Sequence, residues 1–249
     1  MVKIAFHIQK GGTGKTTISG NIGYSLSLKG KKTVMIDCDP QGNLSSWYLT
    51  TAPDYELAAV LNKQVDAEKA IVNIADNLFI IPTFGIGGTL KNYAEMRLSY
   101  EPQAFNKLCM QLQALDFDYA IFDLSPGMSL LERNIIAVMD EVITPLTPAH
   151  FSIDGIQIFN YELNKINEDF LKQIKYNKIV ISQFNASFRT HKIIMDKIKA
   201  LLNYSIYTIP QDTKILESQQ TGQSIYQYYS ASKTIPEYNR LTNDIIERL

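Results

Sequence analysis

Cysteine is almost missing: Cys38 and Cys109 are the two thiols in 249 residues. Two thiols build no disulfide framework, and their scarcity fits a reducing, cytoplasmic setting. No run of 18 apolar residues occurs anywhere, so no segment has the length needed to span a membrane. The N-terminus enters an apolar run at once and has no leader-peptide architecture, so export is not expected. Neither sign of charge dominates: 24 basic side chains stand against 25 acidic ones, net −1, which argues against a generic nucleic-acid binder. Repeats, low-complexity tracts and linker-like shifts of composition are lacking too, and one domain over residues 1–249 is expected. Apolar material is plentiful, with 45% hydrophobic and 10% aromatic residues. That is enough for a substantial core and excludes a disordered chain.

Apolar runs alternate with helical patterns along the chain. The strand candidates are 3–8, 33–37, 78–81, 119–123, 141–145, 178–182 and 205–209. Most are continuous in hydrophobicity and rich in β-branched residues, as strands buried on both faces should be. Helix candidates lie at 15–28, 101–115, 129–139, 153–170 and 189–202. The alternation predicts an α/β fold with a doubly wound, mostly parallel sheet flanked by helices. Ligands of such sheets bind beyond the carboxyl ends of the strands. The tetrad Gly85-Ile86-Gly87-Gly88 lacks the third spaced glycine and the acidic ribose partner of a dinucleotide fingerprint, and reads as a turn before a helix.

The most informative segment is Lys10-Gly11-Gly12-Thr13-Gly14-Lys15-Thr16-Thr17, between the first strand and the first helix. Its glycines let several backbone N–H groups converge on a polyphosphate at the positive end of the helix. Lys15 supplies a mobile cation for the outer phosphates, and the Thr16 hydroxyl is suited to ligate Mg²⁺. The helical pattern that follows runs through Ile18, Ile22, Leu26 and Leu28, and Gly30 closes it. The plain phosphate-loop pattern asks for glycine at position 9, where this chain has Gln9, and it does not call for Lys10. With both lysines the octet resembles the deviant Walker A motif, K-G-G-x-G-K-[ST], of the ParA/MinD family of ATPases. In that family the early lysine, here Lys10, reaches across a dimer interface to the partner's nucleotide.

Two further strand ends carry the resemblance. Asp37-Cys38-Asp39-Pro40-Gln41-Gly42-Asn43 is similar to the family's switch I segment, and Asp123-Leu124-Ser125-Pro126-Gly127 to its Walker B and switch II segment. Ser125 stands where the family often has proline or alanine. By position the resemblance implies that Asp39 orients the attacking water and belongs with Thr16 and Asp123 to the Mg²⁺ site. Asp123 would hold the metal shell through water, and Asp37 would be structural. Residues 144–155 resemble the family's exit from a central strand into the next helix. Ile209-Pro210-Gln211-Asp212-Thr213-Lys214 resembles its I-P-x-[ND] stretch, which assigns Pro210 and Asp212 to the adenine side and Lys214 to DNA contact.

The charge is distributed unevenly. Residues 165–215 carry nine basic and four acidic side chains. Lys192 and Lys199 are seven apart and share one helical face, with Arg189 close to it and Asp196 on it partly offsetting them. A dimer doubles such a patch, and no base-reading motif is visible, so the expected DNA binding is non-specific. The final segment, 236–249, is amphipathic through Leu241, Ile245 and Leu249. Its polar face mixes acids with Arg240 and Arg248, which suits packing on the protein better than anionic lipid. An iron–sulfur relative of the same superfamily would need cysteines after Cys109, and there are none. The Tyr226, Tyr228 and Tyr229 cluster is only a weak echo of the terminal tyrosines of a related kinase, and aromatic packing explains it.

The resemblance thus implies a cytoplasmic, nucleoid-associated partition ATPase. It would bind ATP and Mg²⁺, form a sandwich homodimer with ATP, hold DNA without sequence preference, and turn over slowly until a ParB-like partner stimulates it. The alternative is a MinD-like positioning ATPase on a membrane or protein scaffold. No N-terminal helix-turn-helix extension is present, so operator binding is not expected.

Overall fold

Strand β1 (Val2–Phe6) lies in the middle of an eight-stranded sheet, between β5 (Tyr119–Leu124) and β6 (Glu141–Leu146). The computed structural model describes residues 1–149, 152–201 and 203–247. The remaining strands are β2 (Thr33–Cys38), β3 (Val72–Ala75), β4 (Leu78–Ile81), β7 (Lys175–Phe184) and β8 (Ser205–Pro210), in the spatial order β3-β4-β2-β5-β1-β6-β7-β8. Every neighbouring pair is parallel except β3 with β4. The doubly wound, mostly parallel sheet expected from the alternation is therefore the fold. The helices are α1 (Lys15–Leu28), α2 (Asn43–Tyr48), α3 (Leu57–Leu61), α4 (Ala67–Ala70), α5 (Leu90–Met96), α6 (Ala104–Ala114), α7 (Leu130–Ile136), α8 (Ser152–Phe170), α9 (Arg189–Lys199), α10 (Thr213–Gln220), α11 (Ile225–Tyr228) and α12 (Ile235–Glu247).

Strand pleating sends alternate residues to opposite faces, and each face has its own core. Ala5, Val34, Ile36, Ala120, Phe122 and Val142 meet α3 to α8 through residues such as Leu57, Phe105, Leu112 and Phe159. Ile4, Phe6, Met35, Ile121 and Ile143 meet α1 and α12 through Ile18, Ile22, Leu26, Tyr238 and Leu241. The α1 boundaries coincide with the sequence expectation, but Leu28 is exposed and not part of the apolar stripe. In the turn that follows, Gly30 has φ +73° and donates to the Ser27 carbonyl (2.9 Å).

Some boundaries differ from the reading of the sequence. β7 begins at Lys175, three residues before its continuous apolar run. Helix α6 starts at Ala104 rather than 101, and α7 ends at Ile136 rather than 139. The 189–202 helix ends at Lys199, and Leu202 lies outside the described residues. His150 and Phe151 of the 144–155 segment lie outside them too, as do Arg248 and Leu249 of the final helix. Within α12, Tyr238, Leu241 and Ile245 are buried against the domain.

One buried ion pair ties α12 to the sheet. Lys178 Nζ on β7 lies 2.6 Å from Glu141 Oε1 on β6 and 3.6 Å from Asp244 Oδ2 on α12, with Lys178 and Glu141 fully buried. Removing one partner of such a pair leaves an uncompensated buried charge. Lys178→Met is therefore expected to lower the unfolding free energy by about 3–5 kcal/mol. Urea unfolding measures this, and a loss below about 1 kcal/mol, the worth of an ordinary surface pair, contradicts it.

Candidate functional site

The turn from β1 into α1 sits at the carboxyl edge of the sheet. Gly14 occupies the N-cap position of α1 with φ 86°, ψ 21°, a left-handed conformation that a side chain would strain. No side chain caps this helix, so its first N–H groups face the cavity above it with the positive end of the helix dipole. The loop is braced from β7: Ser182 Oγ donates to the Thr13 carbonyl (2.8 Å). Lys15 is buried, and its ammonium donates to the Lys10 carbonyl (2.9 Å), folding the loop over its own cation. Thr17 Oγ1 accepts from Gln219 Nε2 on α10 (3.0 Å).

Parallel pairing of β2 with β5 sets Asp37 directly opposite Asp123. Both are fully buried. Asp37 accepts from Ser45 N (2.8 Å), Ser45 Oγ (2.6 Å) and Asp39 N (3.2 Å), so its carboxylate anchors α2 and the start of the switch I segment. Thr83 Oγ1, after β4, donates to the Asp37 carbonyl (2.6 Å), and Thr83 N donates to Ser45 Oγ (2.9 Å). A carboxylate on the other side, Glu56, accepts from Phe84 N (2.8 Å) and Thr89 N (2.7 Å) and so holds both ends of the glycine-rich turn. A Cβ at Gly85 would come within 2.4 Å of the Gln41 carbonyl oxygen, so the glycine lets that turn lie directly on switch I. Asp39 is buried and accepts from Gln41 N (2.9 Å). Asp123 Oδ1 accepts from Ser19 Oγ (3.0 Å), while Oδ2 is buried with no hydrogen-bond partner among the described residues.

The electrostatics are set by burial. Desolvation, then the neighbouring Asp123 charge, raises Asp37 to about 8, and three hydrogen bonds from Ser45 and Asp39 oppose the rise. Burial also raises Asp123 to about 7; the Thr16 and Ser19 hydroxyls and Lys15 oppose it, and Asp39 adds to it. Burial lowers Lys15, with Asp123, Asp39 and Glu132 pulling the other way. His7, at the end of β1, is pushed down to about 3 by burial and by the Lys15 charge, and is therefore neutral. Above about pH 8, where Asp37 and Asp123 are both ionised, the site thus holds more carboxylate than one ammonium balances. Asp123 Oδ2, unpartnered among the described residues on a carboxylate that the Thr16 hydroxyl cushions, suits a hydrated divalent cation. Among the described residues no cluster of three or more His, Cys, Asp or Glu forms a metal cage. Mg²⁺ does not require one, because it keeps several waters and borrows substrate phosphates.

A cavity of about 1240 Å³ opens over this edge. Gly11, Gly12, Thr13, Gly14, Lys15, Thr16, Thr17 and Asp39 line it. Lys10, Asp123, Pro210 and Asp212 do not. The Lys10 ammonium makes no hydrogen bond or ion pair among the described residues. Asp123 is fully buried. Pro210 ends β8, and Asp212 caps α10, accepting from Lys214 N (3.0 Å) and Ser232 Oγ (2.8 Å). The cavity also takes residues that sequence patterns did not single out: Trp47, Lys91, Glu95, Glu132, Gln219 and Gln220. Arg189, Lys192 and Lys199 are exposed on α9. Arg189 and Lys199 sit at opposite ends of that helix, about 15 Å apart along its axis. Lys214 is paired with Glu217 (2.6 Å).

A strand-turn-helix cradle beneath a cavity, with carboxylates on two adjoining strand ends, defines an α/β nucleotide-binding protein of the P-loop class. Residues 1–176 match a family model described as an AAA domain. An uncharacterized protein of Borreliella burgdorferi is 41% identical over 243 residues, covering 97% of this chain and 98% of its own. A virulence plasmid ParA family protein of Chlamydia psittaci is 30% identical over 261 residues, covering 100% of this chain and 96% of its own. The fold is shared with a Borrelia burgdorferi protein described as a plasmid partition protein and solved with AMPPNP: TM-score 0.84 at 22% identity, over 100% of this chain and 99% of that one. The chain belongs to the ParA/Soj-type partition ATPases, with the ParA/MinD P-loop fold.

Raised carboxyl pKa values have a consequence for stability. The protonated Asp123 stabilises the fold below the unfolded value, 3.8 for a free side chain, and that contribution is lost as pH rises through about 7. Asp123→Asn removes the titration. Without nucleotide, the variant's unfolding free energy is expected to gain on wild type by at least about 1.4 kcal/mol between pH 5 and 8.5, the worth of one pKa unit. A difference that stays flat across this range in urea titrations contradicts the assignment.

Proposed function

We propose that this chain is an ATP-hydrolysing partition protein that dimerises around ATP, holds DNA without sequence preference and drives plasmid or chromosome segregation. The observation that carries the reading is an uncapped helix N-terminus and Lys15 sharing one cavity with the buried carboxylates Asp39 and Glu132, while Asp123 Oδ2 is buried without a hydrogen-bond partner among the described residues. Such a site favours a polyanion together with a divalent cation over either alone. Gly11, Gly12, Thr13, Gly14, Lys15, Thr16 and Thr17 would cradle the phosphates, with Pro210 and Asp212 on the adenine side. Thr16, Asp39 and Asp123 would hold the hydrated Mg²⁺, which neutralises phosphate charge, and Asp39 would also orient the attacking water. The Lys10 ammonium, outside the cavity and without a partner among the described residues, is available to a nucleotide in a second copy of the chain.

Phosphate contacts ordering α2 and the segment after β5 would close the dimer, and hydrolysis would remove those contacts and reopen it. Turnover is expected to be slow until a ParB-like partner accelerates it. Arg189, Lys192, Lys199 and Lys214 are the proposed DNA contacts, and the exposed α9 residues carry more of the charge than the ion-paired Lys214. The proposed location is the cytoplasm, on the nucleoid. No described helix is long and apolar enough to cross a membrane.

Lys15→Ala is expected to weaken ATP binding at least about 100-fold, roughly 3 kcal/mol. Calorimetry reads this, and unchanged affinity removes the phosphate role. DNA retention is expected with ATP and not with ADP, on duplexes of random sequence. Arg189→Ala with Lys192→Ala should flatten the slope of log K against log[salt] by about 0.9 for each lost phosphate contact. Retention on liposomes rather than DNA in the same co-sedimentation assay would favour the scaffold-bound alternative.

A further inference from the structure

Glu132 lies in the first turn of α7 and is almost fully buried, yet it borders the nucleotide cavity. Its two oxygens do different things. Oε2 accepts from Ser129 N (2.8 Å) and Ser129 Oγ (2.6 Å), closing the capping box that starts α7. Oε1 has no part in that cap. It accepts a hydrogen bond from Ser125 Oγ, seven residues earlier, where the chain leaves β5 two residues after Asp123. A carboxylate only accepts, so the Ser125 proton is committed to Glu132. What Ser125 then offers to the cavity is its lone pairs. The wall at this point is an acceptor, held in a fixed direction by a buried charge.

The space over this pair is open. A Cβ at Gly127 would stand 3.4 Å from Glu132 Oε2 and 3.7 Å from Ser125 Oγ, so glycine leaves room there that a side chain would fill. Ser125, Gly127 and Glu132 line the same cavity as Asp39 and Lys15. The Glu132 charge is also felt by Lys15, whose pKa burial lowers and Asp123, Asp39 and Glu132 raise.

The geometry points to Glu132 as a positioning residue for hydrolysis: it fixes the Ser125 hydroxyl as an acceptor for one proton of the attacking water, so that Ser125 and Asp39 together aim that water. This rests on the ATPase reading above. A water aimed by two acceptors loses less orientational freedom on the way to the transition state than a water aimed by one. The role belongs to the transition state rather than to nucleotide binding, so it should appear in kcat and not in affinity. Glu132→Gln is the informative isostere. Its amide oxygen can keep the Ser129 cap, while its NH₂ turns toward Ser125 and donates, which reverses the hydroxyl and points its proton into the cavity.

The test measures basal ATP turnover, as kcat and KM, and ADP affinity by calorimetry. It uses the full-length chain as wild type, Ser125→Ala, Ser125→Thr, Glu132→Gln, and Ser125→Ala with Glu132→Gln. Ser125→Ala and Glu132→Gln are each expected to lower kcat about tenfold, with KM and ADP affinity within about twofold. The double variant should be no slower than the slower single one, and Ser125→Thr should recover most of the rate. Ser125→Ala leaves the capping box intact, so it separates positioning from helix capping and serves even if Glu132→Gln folds poorly. Wild-type kcat in Ser125→Ala overturns the proposal. So do single effects that multiply in the double variant, or a kcat loss matched by an equal loss of ADP affinity. Wild-type protein that binds ATP without hydrolysing it overturns the ATPase reading itself, and that is read before any variant.

Discussion

Asp37 and Asp123 face each other across one rung of the sheet, both removed from water. Two like charges at that spacing are costly in a low dielectric, and the fold answers the cost unequally. Asp37 receives three hydrogen bonds and becomes part of the framework. Asp123 Oδ1 accepts from Ser19 Oγ, while Oδ2 has no hydrogen-bond partner among the described residues. The framework carboxylate fixes α2, and through Ser45 and Thr83 it fixes the strand end beside it. That unpartnered oxygen is where added positive charge is most welcome. The uneven treatment of two adjacent acids separates structure from site.

The loop proposed to cradle phosphate depends on the same edge. Parallel strands bring β1, β2, β5 and β7 to a common level, and each contributes one tether: the glycine loop, Asp37, Asp123 and Ser182. The only local bond on Thr13 among the described residues is a long one, Thr13 Oγ1 to the Lys10 carbonyl (3.5 Å); the short brace comes from 169 residues later. The Lys15 ammonium donates to the Lys10 carbonyl. That contact keeps the cation inside the loop at low cost, because a neutral acceptor is readily exchanged for a charged one.

Much of this was legible beforehand because it is local. The octet, the two acidic strand ends and the 15–28 helix are contiguous patterns, and the long buried strands announce themselves by continuous hydrophobicity. The misses have physical causes. β3 is a short antiparallel edge strand, Val72-Asn73-Ile74-Ala75, only partly buried, so it carries no buried-strand signal. Helices α2, α3, α4 and α11 span one or two turns, too short for a period to show. Ser182, Thr83, Glu56 and Glu132 act through partners that the sheet or a turn brings to them. Glu132 was the most readable of these, since Ser129-x-x-Glu132 ahead of an apolar run is a capping-box signature. Its second bond, to Ser125, had no such signal. The Gly85–Gly88 turn was recognised as a turn, but its contact with switch I depends on a tertiary approach of two backbones.

The central claim is that an unbalanced, buried set of carboxylates makes this edge a site for a polyphosphate and a divalent cation jointly. The most direct measurement is calorimetric titration of a non-hydrolysable ATP analogue into the protein, with and without magnesium, at pH 8. The account predicts one nucleotide per chain, bound at least about tenfold more tightly when magnesium is present. Binding that is absent in both titrations, or that is equally tight without the metal, would contradict it.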